Sequence, residues 1–276
     1  MKLDKVNSMA TLMNLNIRTW QVNKKSDESR GSVASAKRCV IDAVGVQKKL
    51  LGGKNELYSN IVTIKNAARS YFYASTLEWQ RPLRVCPNTE LEEVLHNLQG
   101  YDNQFNSAVS EFVIAYNLII QQAKYNLGDL FNPADYPTES TLKEQFGMSV
   151  KITPIPKFSD DFRMNGLSKD IQDEIVRKNM QDLKESYQLM IAELMLDITK
   201  PLTTIIKKEK ITHAQVENLQ NIIGRLEAFN IAEDPAIKEL QEIVKSLPQE
   251  PVAEKEQSFI STAQAALERI DSLMDI

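Results

Sequence analysis

Asp160 and Asp161 stand side by side, followed by Phe162 and Arg163, in a chain of 276 residues. Paired carboxylates beside an arginine can do acid–base work or hold a metal ion. Adjacent residues of an extended strand point to opposite faces, however, so these two do not converge on one ion. A loop with a local ion pair is the plainer reading. Asp129, Asp135 and Glu139 follow one another near Gly128, but not at the spacing of a calcium loop. His96 and His213 are the two histidines, and Cys39 and Cys86 the two cysteines. No spacing among them suggests a zinc module or a thiol with its base. Two cysteines cannot build a disulfide framework and fit a reducing compartment. Gly52-Gly53-Lys54 lacks the upstream glycine and the following Ser/Thr of a phosphate loop. The sequence therefore predicts no catalytic residue, no metal ligand and no cofactor.

Charge is a stronger signal. The net −4 divides unevenly: residues 1–84 hold 15 Lys+Arg against 6 Asp+Glu, and residues 85–276 hold 18 against 31. The basic clusters are Lys24-Lys25, Lys37-Arg38, Lys48-Lys49 with Lys54, and Arg81 with Arg84. Trp20, Tyr71, Phe72, Tyr73 and Trp79 lie among them. Cations for phosphate and ring faces for bases are what a nucleic-acid surface needs. An acidic partner surface, in the same chain or in another copy, would use the same cations.

These residues are positioned by helices. Glycine is scarce, at 9 residues, and three stretches carry apolar residues at alternating spacings of four and three. They are Leu57–Tyr71, Phe105–Ala123 and Val176–Leu194, and each reads as a heptad seam. The last runs on past Pro201. Lys24–Ser35 reads as a polar loop and 36–51 as a helix ended by Gly52-Gly53. Residues 15–22, 83–86 and 149–155 read as short strands, the last confined to an edge by Pro154 and Pro156. Thr212 and Asp234 cap two shorter helices. An acidic stretch, PQEPVAEKE at 248–256, precedes a last amphipathic helix, either docked on the body or offered to a partner. No run of 18 apolar residues suggests a membrane span, and residues 1–20 do not read as a secretory leader.

The prediction is a mainly α fold: a long antiparallel helical bundle with coiled-coil character, a small β element at one end and a helical C-terminal extension. The expected divisions are a bundle domain over 1–210 with its β insertion at about 128–166, an extension over 211–247, a linker over 248–256 and a final helix over 257–276.

Four segments carry a resemblance: LMNLNIRTWQVNKK at 12–25, RSYFYASTLEW at 69–79, LGDLFNPADYP at 127–137 and PIPKFSDDFRM at 154–164. In this order they resemble a family encoded by bacteriophages and mobile elements, known as a domain of unknown function. The resemblance implies an accessory protein, often encoded near a MoxR/CobS-like AAA+ ATPase, and carries over no catalytic residue. Read physically, Leu127, Leu130, Phe131 and Tyr136 form an apolar junction that Trp79 and Phe162 could join. The expected function is non-enzymatic assembly with other proteins in the host bacterial cytoplasm, as a homo-oligomer or with an ATPase or host defence partner. The alternative is a single- or double-stranded nucleic-acid-binding protein that uses Lys24, Lys25, Lys37, Arg38, Lys48, Lys49, Lys54, Arg81 and Arg84.

Overall fold

A computed structural model of the chain describes residues 3–155, 166–208, 212–231, 233–247 and 257–274. The protein is mainly α with a small sheet. It divides into two compact units. The first is Met1–Asn14, Tyr73–Leu95 and Lys151–Ile276; the second is Leu15–Phe72 and His96–Val150.

In the first unit, helix α1 (Leu3–Met9) leads into β1 (Ala10–Arg18), which the hairpin β4 (Leu77–Gln80) and β5 (Leu83–Pro87) extends. β1 and β5 run antiparallel, with Leu12 opposite Val85; β4 and β5 put Leu77 opposite Val85. The strand order is β4-β5-β1-β6, so β6 (Gly147–Pro154) is an edge, as Pro154 requires. Alternation sends Leu12, Leu77, Trp79 and Val85 into the core. They meet α6 (Lys169–Lys208), which runs through Pro201. Of its predicted seam, Leu183, Tyr187, Met190 and Leu194 are buried, whereas Met180 is exposed.

α7 (His213–Phe229) begins at Thr212, whose N–H donates to Gln215 Oε1 at 2.8 Å. α8 (Pro235–Lys245) begins at Asp234, whose carboxylate accepts from the Ala236 N–H at 2.9 Å. Each cap satisfies a donor that the first helical turn leaves open. α9 (Gln257–Met274) docks on α6 and α8 through Ala263, Ala266 and Ile270. The 248–256 linker lies outside the described residues.

The second unit is built on α3 (Glu56–Ser75) and α4 (Asn88–Leu127). The predicted α4 seam, Phe105, Val109, Phe112, Tyr116, Ile119 and Ala123, is buried throughout. The α4 seam and the α6 seam from Leu183 to Leu194 are thus covered by the chain's own elements, so neither demands a second copy. Short strands β2 (Asn23–Lys25) and β3 (Gln47–Lys49) form an antiparallel ribbon, and α2 (Asp27–Lys37) stands between them.

Two expectations fail here. The Lys24–Ser35 loop is mostly α2, because Ser26 accepts from the Ser29 N–H and Asp27 and Glu28 favour the positive end of the helix. The 36–51 helix is instead a left-handed cap at Arg38, a short 3-10 turn over Ile41–Ala43 and β3. Gly52, at φ 67°, turns the chain toward α3; a Cβ there would stand 2.8 Å from Asn126 Cβ. α5 (Glu139–Glu144), capped by Thr138, completes the unit with Leu142 buried.

Candidate functional site

The nine cations split into two groups. Lys24 and Lys48 are direct partners across the β2–β3 ribbon, so their side chains share one face. Both reach Asp135: Lys24 Nζ donates to Oδ1 at 2.5 Å and Lys48 Nζ pairs with Oδ2. Lys48 also donates to the Leu130 carbonyl at 3.1 Å. The Asp135 side chain is 3% exposed. Burial opposes its charge, but the two lysines outweigh burial and hold the carboxyl below the usual range.

Arg84 is buried. Its guanidinium donates to Thr76 Oγ1, the Thr76 carbonyl and Glu193 Oε1 at 2.7–2.8 Å, and lies 4.7 Å from the centre of the Tyr73 ring. The other oxygen of Glu193 accepts from the Glu78 N–H. One turn along α6, Asp197 accepts from Arg225 at 2.5 Å, and Arg225 also donates to the Thr76 carbonyl. Burial raises the Asp197 pKa despite that arginine. The two carboxylates and two arginines hold the β4–β5 hairpin on α6 and α7.

Lys24, Lys48 and Arg84 therefore meet acidic groups of the same chain, and of the three only Lys24 is exposed. Lys25, Lys37, Arg38, Lys49 and Lys54 are exposed in the second unit. Arg81 is exposed in the first, paired with Glu78 at 2.9 Å. The rings expected beside them are committed too: Trp20, Phe72 and Trp79 are buried, and the Tyr71 hydroxyl accepts from Asn97.

The LGDLFNPADYP segment is a fold-building turn. Gly128, at φ 52°, ends α4, and Asn132 caps the 3-10 turn over Pro133–Asp135. Tyr136 donates to the Leu50 carbonyl at 2.6 Å, and Phe131 stacks on its ring at 5.0 Å. Leu127 is half-buried and Leu130 is exposed. The tryptophan at this junction is Trp20, 6.4 Å from Tyr136 and edge-on to Tyr116 at 5.8 Å. Trp79, expected there, belongs to the first unit's core instead, because β4 carries it away from this segment. Phe162, with Asp160, Asp161 and Arg163, lies outside the described residues.

Acid groups do not gather. Glu139 accepts from Asn117 while Asp135 serves the lysines, and among the described residues no three His, Cys, Asp or Glu could share a metal ion. Cys39 is exposed and Cys86 buried, where burial pushes its thiol up to about 12, a poor nucleophile. A cleft lined by Trp79, Leu83, Asn179 and Ser186 has Asp182 as the one ionisable group among its described residues. Among the described residues, no helix is long and apolar enough to cross a membrane.

The feature that sequence reasoning missed lies on the outer face of α4. Ile114, Leu118 and Tyr125 are 83%, 70% and 85% exposed. At about 100° per residue they share one stripe, opposite the buried seam. Single exposed apolar residues are ordinary, but three aligned on one face stand out. The signal was present: Ile114, Leu118, Gln121 and Tyr125 repeat at spacings of four, three and four, offset from the buried seam and masked by it. No family model, curated protein or solved structure matches this chain.

Proposed function

We propose that the protein works by assembly, docking another protein on the outer face of α4, and that it is a non-enzymatic accessory protein. One observation carries this reading: the aligned exposure of Ile114, Leu118 and Tyr125. Apolar residues aligned on one helix face are what helix-to-helix recognition uses. The spacings of four and seven residues along this stripe fit coiled-coil packing. The resemblance carried by LGDLFNPADYP adds the setting, a phage or mobile element in the bacterial host cytoplasm, with an AAA+ ATPase or a host protein as a partner class.

Nucleic-acid binding ranks second, because four of the nine cations pair with acidic groups of the same chain and Trp20, Phe72 and Trp79 are buried. Hydroxyl-radical labelling of the chain in its host cell, compared with the dilute purified chain, tests the first reading. Assembly slows labelling of Ile114, Leu118 and Tyr125 in the cell. Equal labelling at all three removes it.

A further inference from the structure

We infer that the arm formed by residues 23–49 is a second docking surface, and that its partner is an acidic protein segment carrying apolar side chains. Its residues are not those of the α4 face, so the two readings stand or fall separately. The arm consists of β2, α2, the 3-10 turn over Ile41–Ala43 and β3. Ala34 is its one buried residue. An excursion that buries so little returns little for the backbone entropy it costs. It is nevertheless well tied. The pairs of Lys24 and Lys48 with Asp135 hold its base. Arg30 Nε donates to the Ile41 and Val44 carbonyls at 2.8 Å, and its Nη2 donates to Asp42 at 2.7 Å. The turn is therefore held in place before any partner arrives, which lowers the ordering cost of binding.

Arg38 is the second observation. It ends α2 in the left-handed region, at φ 53°. Helix ends favour glycine there, because a Cβ opposes that backbone. The closing bonds, from the Arg38 N–H to the Ser35 carbonyl and from the Cys39 N–H to the Ala34 carbonyl, use main chain alone. Glycine would serve the fold at least as well, so what arginine adds is its side chain. Neither Lys37 nor Arg38 meets an acid among the described residues. Beside them stand exposed aliphatic residues. Val40 and Ile41 follow Arg38 and are 73% and 47% exposed, and Val33 is four residues before Lys37 on α2.

The chemistry selects the partner class. Residues 29–41 hold three cations and no carboxylate, and the next residue, Asp42, is taken by Arg30. A guanidinium fork matches a carboxylate, and the aliphatic residues match apolar side chains next to it. Residues 23–49 contain no Phe, Trp or Tyr on which a nucleic-acid base could stack. They also lack the Trp, Phe and Leu that anchor a segment in a bilayer surface.

Selection of a displayed random-peptide library on the full chain tests this. Peptides rich in Asp or Glu together with Leu, Ile or Val should be enriched. In fluorescence anisotropy, Arg38→Gly should weaken the best of them about tenfold, and Val40→Ser severalfold. Urea unfolding should be unchanged for Val40→Ser, and unchanged or shifted to higher urea for Arg38→Gly. Ile114→Glu on α4 should leave peptide binding as it was. No enrichment, or enrichment of neutral or basic peptides, overturns the proposal. So does an acidic peptide whose affinity both arm variants leave unchanged. Tighter binding of single-stranded DNA or of phosphatidylserine vesicles, abolished by the same two variants, overturns it in favour of that partner.

Discussion

Replacing Asp135 by Asn removes the charge that two lysines share and leaves the shape unchanged. Lys24 is 55% exposed and can turn to water, so its pair contributes only about 0.5 kcal/mol. Lys48 is 12% exposed and cannot escape so readily. It keeps the Leu130 carbonyl and loses a carboxylate, about 1.5–3 kcal/mol for a charged hydrogen bond. The cost stays below the 3–5 kcal/mol of a fully buried broken pair, roughly because lysine stems supply the cover. The sum is about 2–3.5 kcal/mol, or a urea midpoint lowered by about 1 M. Trp20 reports it, since it touches Tyr136 and Tyr116 in the same unit. Trp79 is replaced by Phe so that Trp20 is the sole indole fluorophore. The sign with pH is fixed. Asp135 titrates below 3.8 in the folded chain, so its contribution is full above the unfolded value and fades as pH falls through the folded one. The gap between parent and Asp135→Asn should therefore close below about pH 4. A gap under about 0.5 kcal/mol at neutral pH would class the clamp with exposed pairs and refute this reasoning.

Gly52→Ala should cost the second unit about 2–4 kcal/mol, since the left-handed backbone and the Asn126 contact both oppose a Cβ; urea unfolding followed at Trp20 checks it. Glu193→Gln should cost the first unit about 2–3 kcal/mol by stripping buried Arg84 of its counter-charge, read from Trp79 emission in a Trp20→Phe background. Tyr136→Phe should cost about 1 kcal/mol in the same Trp20 assay, for the lost hydrogen bond to the Leu50 carbonyl. In fluorescence anisotropy, labelled single- and double-stranded DNA should be released by physiological salt. Binding that persists there and is lost on Lys25→Glu with Lys49→Glu would put nucleic acid first.

The long helices were legible because each buries one stripe, and a buried stripe prints its period on the sequence. The α4 seam, from Phe105 to Ala123, is the clearest case. Edge strand β6 was legible for a complementary reason, since Pro154 cannot donate within a sheet. α2 was hidden because its stabilising parts are local: a Ser26 cap and two acids in the first turn, in a serine-rich stretch that looks like loop. The fate of the basic residues could not be read at all. Lys24 and Lys48 differ from Lys25 and Lys49 only in which face of a three-residue ribbon they occupy, and Asp135 lies more than eighty residues away. Which tryptophan joins the LGDLFNPADYP turn depends likewise on where the chain returns, which puts Trp20 there and Trp79 elsewhere.

Assembly through α4 is tested most directly by a photo-crosslinking residue in place of Leu118, activated in living host cells, with the same residue at exposed Glu185 as control. A discrete crosslinked product from position 118, absent at 185 and lost when Ile114→Glu is added, is the expected result. No product at 118, or the same product at both positions, would contradict docking on this face.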